Sequence, residues 1–171
     1  TMDIIGIPSN SKIESRDQKS ASMLNQMYAE GNIELTKAVV EDIFHISIPY
    51  YVVVDEAAFK KTSDVLGSQQ FYVEKNMEHV DAETGSKDID LRRGYQNLDS
   101  DNALAYLRYT DENNDNFGRV QRQERFLKLW VDREQDTWFM TKAWHIWRLW
   151  SHYESNISTW DAIKLMRSIG Q

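Results

Sequence analysis

The run Pro49-Tyr50-Tyr51-Val52-Val53-Val54-Asp55 leads straight into a helical pattern from Glu56 to Leu66 that stops at Gly67. This pairing constrains the fold more than any other feature of the chain. A continuous apolar stretch of aromatic and β-branched residues predicts a strand covered on both faces of a sheet. A helix entered directly from such a strand and ended at a glycine is a unit of α/β architecture.

The rest of the chain keeps to that alternation. Met2 to Pro8 reads as a short buried strand ending at a proline, and Ser9 to Ser22 as a serine-rich surface loop. Asn32 is placed to cap a helix through about His45, with Leu35, Val39, Val40 and Ile43 on its inner face. Gln70 to Glu74 predicts a strand, and Ile89 to Leu91 a shorter one that can pair. Gly94-Tyr95-Gln96-Asn97 has the composition of a turn.

Helical patterns follow over Leu98–Tyr109, about Gly118–Gln135 and Thr137–Glu154, with an acidic, asparagine-rich loop at Thr110–Asn116. Ser158 to Asp161 resembles a capping box opening a last helix to Ser168. No repeat or linker interrupts the 171 residues, so a single α/β domain is expected.

Composition narrows the functions. Net charge is −7, which argues against a general nucleic-acid surface but leaves room for a small basic pocket. Without cysteine there is no disulfide, thiol nucleophile or thiolate metal site. No apolar run approaches the ~18 residues of a membrane span. His145 and His152 share a helical face without a third ligand at zinc spacing, and no phosphate loop or nucleophile elbow occurs.

Arg119, Arg122 and Gln123 stand at i, i+3 and i+4 at the start of a helix, and Phe126 and Trp130 continue that face. Arg108 closes the preceding helix and can add a third guanidinium. Arginines over a helix N-terminus suit phosphate, although the spacing alone also fits solvated surface residues. Asp111, Asn113 and Asp115 faintly resemble a calcium loop, but the terminal acidic position holds Arg122. All six tryptophans lie between Trp130 and Trp160, and Trp144, Trp147 and Trp150 are expected mainly in the core, with a tunnel wall or partner surface as alternatives. Asn156-Ile157-Ser158 matches a glycosylation triplet, for which an ordinary structural role is expected.

Three blocks carry a more specific signal: Gly94-Tyr95-Gln96-Asn97-Leu98, Ala103-Leu104-Ala105-Tyr106-Leu107-Arg108-Tyr109, and Gly118-Arg119-Val120-Gln121-Arg122-Gln123. In order and spacing they resemble the signature of the LytR-CpsA-Psr family of the cell envelope. Ile7-Pro8, Leu24 to Gly31, Ile48 to Asp55 and the closing segment from Ser158 fit the same pattern, so the resemblance spans nearly the whole chain.

The resemblance implies a three-layer α/β/α sandwich with a central mixed β-sheet, filling residues 1–171 as one domain that lacks the family's N-terminal strand segment. It implies a polyprenyl pyrophosphate lipid in an apolar tunnel, its head group among arginines with a magnesium ion. Family members transfer a glycopolymer, of teichoic acid or capsule type, from that lipid to a peptidoglycan hydroxyl. They do so outside the cytoplasmic membrane of Gram-positive bacteria, close to the membrane and often tethered by an N-terminal span.

Arg108, Arg119 and Gln123 match family positions that contact phosphate, and Arg122 fits beside them. Ser9, Met23 and Thr110 stand where the family has arginine, lysine and arginine. Asn116 stands where it has the aspartate that serves the metal or the acceptor hydroxyl, with Asp115 adjacent as a substitute ligand or base. Three readings follow from these substitutions. The first is a degenerate relative that binds polyprenyl-linked glycopolymer without efficient transfer. The second is an active magnesium-dependent phosphotransferase using Asp115, and the third a non-catalytic interaction domain in envelope assembly.

Overall fold

A computed structural model describes residues 4–13, 22–111, 116–135, 139–158, 160–162 and 164. In chain order these form β1 (Lys12–Ile13), β2 (Ser22–Met23), α1 (Leu24–Phe44), β3 (Val52–Val53), α2 (Glu56–Leu66), β4 (Gln69–Val73) and β5 (Met77–Val80). Then come β6 (Lys87–Leu91), β7 (Gly94–Leu98), α3 (Ser100–Arg108), α4 (Asn116–Gln135), α5 (Phe139–Leu149), a 3-10 turn Trp150–His152 and β8 (Glu154–Ser155). Helices and strands mix as an α/β fold. The strand pairs formed by described residues are antiparallel: β1 with β2, β3 with β8, β4 with β7, and β5 with β6.

Local chemistry accounts for the helix boundaries. The Asp55 carboxylate accepts the Ala58 amide at 2.7 Å and starts α2, while Gly67, at φ 79°, lets the chain leave it. Asp99 caps α3 in the same way, accepting from Asn102 N at 2.9 Å. Asn32, at φ 55°, and Gly31 kink α1, so the helix expected from Asn32 onward is its second half. In the first half, Leu24, Met27 and Tyr28 stand at i, i+3 and i+4, and Leu24 and Met27 are buried.

The core lies between β4, β7, β5, β6 and the helices α2, α3 and α4. Phe59, Phe71, Val73, Met77, Ile89, Leu91, Leu98, Ala103, Tyr106 and Phe126 form one buried cluster. Its aromatic rings are in contact: Phe71 meets Tyr106 edge-on at 4.8 Å, Phe126 meets Trp130 edge-on at 5.0 Å, and Phe59 stacks on Trp130 at 5.2 Å. Such pairs contribute about 0.5–1.5 kcal/mol each beyond the area they bury.

Several sequence expectations need correction. Gly94–Leu98 is a strand paired along its length with β4, not a turn, because a glycine at φ 124° enters the strand and leaves its residues extended. Residues 4–8 join no ladder; Gly6 N instead donates to Glu124 Oε1 of α4 at 2.5 Å. Gly6 allows that approach, since a Cβ there would lie 2.2 Å from Val120 Cγ1. The Pro49–Asp55 run pairs only at Val52–Val53, with β8, and Val52 and Val54 are exposed among the described residues. Asn156 has a structural role: its side chain accepts from Tyr51 N and donates to Pro49 O, each at 2.9 Å. Half of the expected capping box forms: Asp161 N donates to Ser158 Oγ at 3.1 Å, while the Asp161 carboxylate accepts from the Ser158 hydroxyl at 2.8 Å.

Candidate functional site

The ends of four segments meet around the first turns of α4. The loop at Ser9 reaches it from the N-terminal side, where the Ser9 and Ser11 carbonyls accept the Asn25 and Leu24 amides at 2.8 and 3.0 Å. Those bonds use donors at the start of α1, and Met23 N is taken by Gln26 Oε1 at 2.8 Å. The end of α3 supplies Arg108, Tyr109 and Thr110, and the end of β4 supplies Glu74.

Arg119 is the half-buried arginine of the cluster. Its Nη2 donates to Ser9 Oγ at 3.0 Å, while its buried Nε finds no partner among the described residues. Ser9 therefore lies beside the phosphate-matching arginine although the two are far apart in sequence. The short hydroxyl at that place partners the guanidinium, whereas a second arginine would repel it.

Arg122, only 3% exposed, faces inward. One amino group donates to the Tyr109 carbonyl, another faces Glu74 Oε1 at 3.4 Å, and its Nε, like that of Arg119, finds no partner among the described residues. The guanidinium lies over the rings of Tyr109 and Tyr106, at 5.6 and 5.9 Å. Arg122 is thus a strut joining α4 to the end of α3 and β4. Arg108 points elsewhere, pairing at the surface with Glu56 Oε1 at 2.9 Å. Gln123 is exposed, and its Nε2 donates to the Leu107 carbonyl at 3.5 Å.

Glu74 holds the cluster together, and nothing in its sequence surroundings marks it. It accepts the Tyr106 hydroxyl at 2.9 Å and faces both Arg122 and Arg125 at 3.4 Å. Burial alone would raise its pKa. Hydrogen bonds from its own amide and Tyr106, with the charges of Arg125 and Arg122, outweigh burial and hold it below the ordinary glutamate value. Tyr106, fully buried, is pushed well above the usual phenol range by burial and by the Glu74 carboxylate. Next to Glu74, Lys75 bonds Asp111 Oδ2 at 2.9 Å and lies over the Tyr109 ring at 5.4 Å.

Asn116 is the first residue of α4 and half-buried; Asp115 lies outside the described residues. Among the described residues no three histidine, aspartate or glutamate side chains could hold a metal ion. Glu74, the carboxylate at the cluster, is already shared between two arginines and a tyrosine. The anion-directed groups that the described residues bring to the cluster are guanidiniums. That arrangement suits one or two phosphate groups held over the start of a long helix.

The family signature blocks and the arginine cluster coincide, and a family model confirms the resemblance: the LytR_cpsA_psr family matches residues 1–168. The chain belongs to the LytR-CpsA-Psr family. It is 30% identical over 137 residues to the polyisoprenyl-teichoic acid–peptidoglycan teichoic acid transferase TagV of Bacillus subtilis, covering 78% of this chain and 35% of TagV. With the TagU transferase of Bacillus cereus it shares 29% over 135 residues, covering 78% of this chain and 42% of TagU. The chain therefore spans well under half the length of these curated relatives.

Solved structures agree on the fold. The crystal structure of B. subtilis TagV superposes with a TM-score of 0.80 at 24% identity, covering 96% of this chain and 63% of that one. TagT bound to LIIa-WTA superposes at 0.68 with 22% identity, covering 96% and 61%. These likenesses place the α/β fold of this chain among LytR-CpsA-Psr domain structures.

Proposed function

We propose that this domain binds the pyrophosphate head of a polyprenyl-linked glycopolymer in the cell envelope, as a relative of the transferases that has lost efficient transfer. The observation that supports it most is Arg119, half-buried at the first turns of α4, with Ser9 on one amino group and a buried Nε that finds no partner among the described residues. A phosphate oxygen can supply that missing acceptor in a charge-assisted bond. Arg108 joins by leaving Glu56, since an exposed ion pair contributes only about 0–1 kcal/mol. Gln123 adds a neutral donor at the rim.

The same substitutions support weak or absent transfer. Ser9, Met23 and Thr110 remove cationic charge that would stabilise a leaving pyrophosphate, and Asn116 cannot act as a base. The proposal includes extracytoplasmic, membrane-proximal placement, with peptidoglycan as acceptor in any active form. A magnesium ion would have to rest on Asp115 and Asn116; it would supply charge neutralisation at the head group. The protein's own residues bind and orient the phosphates.

The test is to incubate the protein with a polyprenyl pyrophosphate, with magnesium or with EDTA, and to follow complex and products by mass spectrometry. Binding without turnover is expected, with affinity falling about tenfold or more in Arg119→Ala from one lost charged contact. Unchanged affinity in that variant overturns the reading. Magnesium-dependent release of phosphate, abolished by Asp115→Ala, would establish the active alternative. The exposed tryptophans of α5 favour a further reading, an interaction surface used in envelope assembly. It requires a cross-linked partner that Trp147→Ser releases.

A further inference from the structure

The outward face of the β4–β7 ladder is built unlike the surface around it. Side chains alternate along a strand, so Phe71, Val73 and Leu98 enter the core while Gln70, Tyr72, Tyr95 and Asn97 face outward. The register sets Tyr72 directly opposite Tyr95, and Gln70 opposite Asn97. The two phenol rings meet edge-on with centroids 5.1 Å apart, and Tyr95 remains 75% exposed. Arg93 Nε donates to the Tyr72 hydroxyl at 3.4 Å.

Negative charge is withheld from this face in an acidic chain of 27 aspartates and glutamates. The acids that continue both strands are turned away. Glu74, the residue after β4, is engaged by Tyr106, Arg122 and Arg125. Asp99, beyond Asn97 on β7, caps α3. What remains outward is two phenol rings, two carboxamides and one guanidinium.

We propose that the Tyr72–Tyr95 face, with Gln70, Asn97 and Arg93, is a binding site for an uncharged glycan chain. The C–H face of a pyranose packs on an aromatic ring, and carboxamides offer both a donor and an acceptor to hydroxyl and acetamido groups. The tyrosine and amide pairs are spaced roughly 7 Å apart along the strand, two residue rises. A linear saccharide laid along the ladder meets rings at one unit and amides at the next. β4 then continues into Glu74, which braces Arg122 and Arg125, so the glycan face is continuous with the proposed head-group site. The choice of an acetamido sugar rests on the function proposed above; the site itself rests on this face.

The test titrates chitohexaose, which carries neither phosphate nor lipid, into the folded protein by calorimetry, with melting temperatures alongside. Saturable binding is expected, weakened about fivefold in Tyr95→Ala for one lost ring and kept in Tyr95→Phe. Arg119→Ala should bind chitohexaose as the parent does, which separates this site from head-group binding. Absence of saturable binding by the folded parent overturns the proposal. So does unchanged affinity in Tyr95→Ala, or in Asn97→Ala should the first variant fail to fold.

Discussion

Helices α4 and α5 both carry several aromatic residues, with four arginines on α4 and one on α5, yet they put them to opposite uses. On α4, Phe126 is buried against Phe59 and Phe71, Trp130 stacks on Phe59, and Arg122 is sealed between Glu74 and Tyr109. On α5, Trp147 is 77% exposed, and Met140 and Trp144 are open too, with Arg148 stacked over the Trp144 ring at 5.3 Å. An apolar helix is buried only where another element covers it. The inner face of α4 has β4, α2 and α3 against it, while Leu149 is the residue that α5 buries among its described side chains. Burial depends on what lies opposite, not on how many tryptophans a helix holds.

That contrast can be broken by substitution. Phe126→Ala should cost about 3–5 kcal/mol, because a ring packed on three others leaves a cavity. A denaturant midpoint close to the parent's would show that the α4 packing is wrong. Arg122→Ala should cost about 3 kcal/mol, the low end for a broken buried pair, since Arg125 still faces Glu74.

The parent's acid sensitivity should change with it. Glu74 titrates lower in the folded chain than in the unfolded one. Its contribution is therefore full above the ordinary glutamate pKa of ~4.3 and is lost as pH falls below that toward the folded value. Arg122→Ala should flatten this part of the pH–stability curve, and an unaltered slope would remove Glu74 from the account. Trp147→Ser is expected to shift stability by no more than about 0.5 kcal/mol. A loss of several times that would place Trp147 in a packed interface instead.

By itself the sequence determined the local structure and the family. The helix from Glu56 to Leu66 ends at Gly67, and Ser158 accepts the Asp161 amide, because helix ends depend on residues three or four apart; α3 instead opens at Ser100, since Leu98 belongs to β7. The three signature blocks are contiguous strings and were legible for the same reason. Tertiary structure decided what depends on partners distant in sequence. Gly94–Leu98 looked like a turn and became a strand because β4 lay alongside to accept its hydrogen bonds. Arg122, spaced like a ligand-facing residue, became an internal strut because Glu74, 48 residues earlier, came to meet it. Ser9 reached Arg119 across 110 residues. A helical face states which side chains point together; only the packed chain sets whether they meet a carboxylate, a ring or water.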